Sequence, residues 1–139
     1  MISQSIKVVL REPRPIMVEP HIYSGDCDHI EFGNPSAHTF GSSLMGLTTS
    51  YLFVKHFCVK FNIKISLLPV LFVMNITFIV VNLVGFSRIF KGAHTYNQVF
   101  NGLAQGTILA LVFGFVLYED YFNFYMSLKN RSLSSLLFN

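Results

Sequence analysis

The stretch ISLLPVLFVMNITFIVVNLVGF, from about Ile65 to Phe86, contains no charged residue. Crossing the hydrocarbon core of a bilayer takes about 20 residues of helix, and this segment meets that length. Two further stretches read the same way. One runs from about Thr39 to Phe57 (TFGSSLMGLTTSYLFVKHF), the other from about Tyr96 to Tyr118 (YNQVFNGLAQGTILALVFGFVLY). None shows the alternation of a soluble surface helix, and their lengths argue against strands. Composition agrees: 52% of the 139 residues are hydrophobic and 12% charged, against about 25% charged in ordinary soluble domains. The expected fold class is therefore an all-α integral membrane bundle, with three full crossings and a partial N-terminal helix.

Small and polar residues inside these helices need a reason. Gly102, Gly106, Ala110 and Gly114 recur every four residues in the third stretch, and Ser42, Gly46 and Ser50 do so in the first. Such stripes let membrane helices approach closely. Asn75 and Asn82 are expected to hydrogen-bond between helices. Before the first stretch lies a short amphipathic segment, Met1 to about Glu12, too short to cross and read as the end of a crossing whose beginning is absent. No cleavable signal peptide is apparent. Pro13 turns the chain into a polar loop reaching Pro35. The loop carries Glu19, Asp26, Asp28 and Glu31, read as solvated acids, and His21 and His29, which match no pattern. The expected organisation is a membrane domain over residues 1–122 and a polar tail over residues 123–139.

Counting crossings places the chemistry. If the loop before Thr39 is on one side, the first stretch delivers Lys55, His56, Lys60 and Lys64 to the other. The second stretch returns at Ser87, and the third ends opposite with the tail. Arg14, His38 and the segment from Arg88 to His94 therefore share one side. Cys27 and Cys58 fall on opposite sides and should not pair. Three groups meet: Lys7 and, after a gap of six residues, Arg14-Pro15; Pro35-Ser36-Ala37-His38; and Ser87-Arg88 with His94 after a gap of five residues and Gln98 four positions further. Guanidinium forks match phosphate oxygens and lysine adds a point charge. The start of the helix near Ser36–His38 offers free N–H groups to an anion. One histidine can attack phosphorus while the other protonates the leaving oxygen. The net charge of +3 sits at the ends of apolar runs and not on one face, which excludes a nucleic-acid partner. The scattered carboxylates resemble no metal cage.

Lys-x6-Arg-Pro, Pro-Ser-x-His and Ser-Arg-x5-His, in that order, resemble the three-part signature of the type 2 phosphatidic acid phosphatase superfamily, which includes vanadium haloperoxidases and glucose-6-phosphatase. The likeness runs from Lys7 to about Gly106 and implies the C-terminal part of a six-helix phosphatase fold. It implies cofactor-free, metal-independent phosphate-ester hydrolysis through a phosphohistidine. His94 would be the nucleophile and His38 the general acid. Lys7, Arg14 and Arg88 would hold phosphoryl oxygens, assisted by the Ser36 hydroxyl and the Ala37 N–H. Two positions depart from the pattern. Ala37 replaces a glycine or serine, and Gln98 replaces the aspartate that orients the nucleophile. Gln98 accepts a hydrogen bond but brings no charge.

The HTYNQVFNG stretch is similar to the glucose-6-phosphatase and dolichyl-diphosphate phosphatase branches, and EPRP leans to the dolichyl branch. The resemblance implies a lipid phosphate or polyprenyl diphosphate substrate, with a sugar phosphate second, and a site facing the lumen of the endoplasmic reticulum. Lys55, Lys60, Lys64, Lys129 and Arg131 on the opposite side agree, by the positive-inside rule. A reading of another class is a non-catalytic membrane subunit that keeps the fold; a partner chain that supplies the missing helices, and a longer protein of which this chain is a fragment, both stay open.

Overall fold

The computed structural model describes residues 2–19, 21, 31–64, 66–120, 122, 123 and 127. The expectations for Asp26, Cys27, Asp28, His29, Lys129 and Arg131, and for nearly all of the tail, lie outside these residues. Among the described residues every regular element is helical: α1 (Ile2–Leu10), α2 (Pro15–Val18), α3 (Ala37–Lys60), α4 (Leu67–Phe90) and α5 (Tyr96–Val112). A π-helical turn, Phe113–Leu117, continues α5.

Local chemistry sets the boundaries. Arg11 adopts a left-handed φ of 48° after α1, and its N–H still reaches the Lys7 carbonyl at 2.9 Å. Pro15 starts α2 at a first-turn position, where its missing N–H costs nothing. Thr95 and Gln98 form a reciprocal capping box at the start of α5, satisfying donors that an open helix end leaves orphaned. The turn before it uses Gly92 at φ 67°, a conformation glycine adopts without steric cost.

α3 is the central helix, packed against both α4 and α5. It runs parallel to α5: Ser36 N–H donates to the Gln98 carbonyl at 2.9 Å, and Lys55 pairs with Glu119 at the far end. A Cβ at Gly102 would lie 2.7 Å from the Ser36 carbonyl oxygen, and one at Gly106 would lie 2.5 Å from that of Phe40 and strike Ser43. The glycine stripe of α5 therefore brings two backbones into contact, and the stabilisation comes from van der Waals packing. α4 runs antiparallel on another face of α3. Gly46 faces Thr77 and Val81 there, and Ser50 Oγ meets Thr77 Oγ1 at 2.6 Å.

Two expectations change. Asn75 and Asn82 do not bond between helices; their amides donate to Leu71 O and Phe78 O of their own helix, each at 2.7 Å. A side chain four residues from a carbonyl satisfies it more cheaply than one on a neighbour. The inter-helix polar contact belongs to Ser50 and Thr77 instead. α4 also runs past Phe86 to Phe90, so Ser87 and Arg88 are helical and not part of the polar turn. Among the described residues, one helix, Leu67–Phe90, is long and apolar enough to cross a membrane, and only 6% of its apolar window is buried inside the protein. α3 is long enough but diluted by Ser42, Ser43, Thr48, Thr49 and Ser50, while α5 has 17 residues before the π turn.

Candidate anion site

Five segments deliver side chains to one end of the bundle. Lys7 comes from α1 and Arg14 from the turn before α2. Ala37 and His38 open α3, Arg88 closes α4, and His94 precedes the α5 cap. Together with Gln4 and Glu31 these residues line one cavity of about 240 Å³. Lys7 is 3% exposed, Arg14 6%, Arg88 9% and His94 3%. Three cations held this far from water form an environment that favours an anion, because taking charges out of solvent is costly without a countercharge.

The described partners show what fills that need. Glu31 Oε2 lies 3.3 Å from Lys7 Nζ, and Arg14 Nε donates to the Glu31 carbonyl at 2.9 Å. Lys7 holds the Glu31 carboxyl below the usual carboxylate range, chiefly through that hydrogen bond and its charge. Glu31 is thus not only a solvated loop acid; it occupies the cation cluster. His21 and His56 are exposed and do not line the cavity.

His94 sits deepest in the histidine pair. Burial pushes its imidazole down to about 4, reinforced by the charges of Arg14, Arg88 and Lys7 and opposed by its hydrogen bond to Gln98. At neutral pH the ring is therefore uncharged and keeps a lone pair. The unfolded chain takes up a proton as pH falls through about 6.5, whereas the folded chain resists until about 4. Folding stability is expected to be flat above the upper value and to fall as pH drops between the two. Thermal midpoints measured across that window should decline more steeply for the wild type than for His94→Gln.

Gln98 meets His94 Nδ1 through Oε1 at 3.2 Å, as the spacing of four residues on one turn anticipates. Ser36 is placed differently from the other motif residues. It is fully buried, its hydroxyl accepts from Thr39 Oγ1 at 3.2 Å, and it does not line the cavity. Glu12 and Asn34 escaped the sequence reading. Gln98 Nε2 donates to Glu12 Oε1 at 3.2 Å and to the Pro13 carbonyl at 2.8 Å, and Asn34 Nδ2 donates to Glu12 Oε2. The available signal was a carboxylate two residues before Arg14, beside a glutamine standing where a charge is usual. Among the described residues no three His, Cys, Asp or Glu side chains are grouped as a metal site.

The helical bundle thus gathers buried cations around a buried imidazole at one end. The profile of the PAP2 superfamily matches residues 1–122, and the chain belongs to that superfamily. Membership supports a phosphatase-type function, phosphoester hydrolysis on a phosphate-bearing substrate. Comparison with curated proteins and with solved structures returns no match.

Proposed function

We propose that the chain is a metal-independent membrane phosphatase that hydrolyses a lipid phosphate or polyprenyl diphosphate through a phosphohistidine on His94. The observation that carries this reading is the convergence of Lys7, Arg14, His38, Arg88 and His94, from five segments of the chain, on one cavity. In the first step His94 Nε2 bonds to phosphorus, the bond to the leaving oxygen breaks, and His38 gives that oxygen a proton. In the second, water loses a proton to His38 and attacks phosphorus, the P–N bond breaks, and His94 returns neutral. Lys7, Arg14 and Arg88 hold the equatorial oxygens, where charge accumulates. The N–H of Ala37 in the first turn of α3 assists them, along with the Ser36 hydroxyl that the motif pattern assigns.

A lipid is favoured over a sugar by the surroundings of the site. α4 is apolar and almost wholly exposed, and an apolar groove of about 140 Å³ between α4 and α5 is lined by Phe86, Ile89, Tyr96 and Phe100. Ile89 follows Arg88 and Tyr96 lies two residues after His94, so the groove begins at the end of the bundle where the phosphate would sit. In this reading α3, α4 and α5 cross the membrane within a domain of residues 1–122, and the site faces the lumen of the endoplasmic reticulum.

The test is phosphate release by the purified chain in detergent micelles from phosphatidate, dolichyl diphosphate and glucose 6-phosphate. Release from a lipid substrate that resists chelators and is blocked by vanadate is expected. Chelator-sensitive release counts against the mechanism, and preference for glucose 6-phosphate selects the sugar-phosphatase branch. No release from any of the three favours a non-catalytic subunit.

A further inference from the structure

We propose that Glu12 is a positioning residue: acting through the Gln98 amide, it fixes the proton of the His94 imidazole on Nδ1 and leaves Nε2 as the nucleophilic nitrogen. The inference rests on the reading of His94 as nucleophile, and it concerns a carboxylate outside the three motifs.

The argument begins with the direction of the Gln98 amide. One end faces the Thr95 N–H at 3.2 Å, which can only donate. The other end faces Glu12 Oε1 at 3.2 Å and the Pro13 carbonyl at 2.8 Å, which can only accept when Glu12 is ionised. Flipping the amide would set NH₂ against N–H and oxygen against two oxygens. The Oε1 atom must therefore point at Thr95 and at His94 Nδ1, 3.2 Å away. An amide oxygen offers no proton, so the imidazole supplies one from Nδ1, and the lone pair of the neutral ring lies on Nε2.

Glu12 is where the chain of amides ends. From the opposite direction Asn101 Nδ2 donates to Asn34 Oδ1 at 3.1 Å, and Asn34 Nδ2 donates to Glu12 Oε2. Two series of donors converge on this side chain, and an ionised carboxylate is the group that accepts from both. A glutamine at position 12 would present an NH₂ to one of them. The space is fitted as well: a Cβ at Gly33 would lie 2.6 Å from Gln98 Cδ, and Gly33 N–H donates to the Glu12 carbonyl at 2.8 Å. When Nε2 bonds to phosphorus the ring becomes cationic. The negative charge then stands one polarised amide away, the place of a directly contacting aspartate being taken by two residues in series.

The test uses the full chain in detergent micelles, labelled with ¹⁵N-histidine, with the His94 signals identified by their loss in His94→Ala. At pH 7 the wild type should show a protonated Nδ1 and an unprotonated Nε2. Glu12→Gln should move the proton towards Nε2 and lower phosphate release by about 10- to 100-fold, the usual effect of an outer-shell partner. In a Gln98→Asp background, where a carboxylate meets the imidazole directly, the same E12Q change should cost less than about 2-fold; such non-additivity marks coupling and not mere support of the fold. A protonated Nε2 in the wild type overturns the proposal, as does an unchanged tautomer in folded E12Q or an equal loss in both backgrounds. Should E12Q alone not fold, the wild-type tautomer and the E12Q/Q98D pair still decide. A chain that releases no phosphate sinks the phosphatase reading, yet its histidine spectrum continues to judge the relay.

Discussion

Replacing His94 by alanine is expected to lower turnover by about 10⁴-fold or more, the scale seen when a nucleophile that acts in concert with a base is removed. The ring is 3% exposed and neutral, so attack requires neither loss of a proton nor stripping of a hydration shell. The other groups of the cavity have different parts in this reading: Lys7, Arg14 and Arg88 hold oxygens, His38 carries the proton, and Glu31 is itself held by Lys7. The check is phosphate release alongside trapping of an acid-labile phosphoenzyme from ³²P-labelled substrate. Both should vanish in His94→Ala. His38→Ala should behave differently, forming phosphoenzyme from p-nitrophenyl phosphate, whose leaving group needs little protonation, and then stalling before water attacks. Undiminished release by His94→Ala would refute the assignment.

The second large effect is expected at Arg88. Removing one preorganised donor from a site where charge develops costs about 10²–10³-fold in rate, and Arg88→Ala should fall in that range. Arg88 is placed by the last turn of α4 and is 9% exposed, so its field acts in a medium that screens it poorly. Lysine is not an adequate substitute: it keeps the charge but loses the planar fork that holds two oxygens at once. Arg88→Lys should therefore recover only part of the loss. Comparing kcat with KM for the two variants checks this, since a residue that serves mainly the transition state lowers kcat. A rise in KM with kcat unchanged would return Arg88 to the role of a ground-state anchor.

Some of this was legible in the sequence because it is periodic or local. The apolar runs place α3, α4 and α5 to within a few residues, and the return of the chain at Ser87 brings the motif residues to one end. The stop of α4 was misplaced at Phe86 because Ser87 and Arg88 are polar letters. Arg88 turns into the cavity and not into water, so polarity there does not mark a helix end; the real punctuation is Gly92. Asn75 and Asn82 misled for a related reason, since a polar side chain in a helix can satisfy itself on its own turn. Glu12 and Glu31 were hidden by distance. Glu12 is bound to a residue 86 positions away, and Glu31 to one 24 positions away. No spacing rule reaches that far. The departure at Gln98 was visible, but its remedy was not, because the carboxylate beside it comes from the segment between α1 and α2.

The parallel pairing of α3 and α5 ties the proposed reaction to packing. Ser36 and Gln98 are joined backbone to backbone, and Gly102 and Gly106 hold the same two helices at their closest. The two imidazoles therefore hang from a single seam, one on each lip. Any bulk inserted along that seam pries the lips apart and changes the reach between the two imidazoles without touching either ring. Residues that carry no chemistry of their own act as the gauge to which the proposed reaction is set.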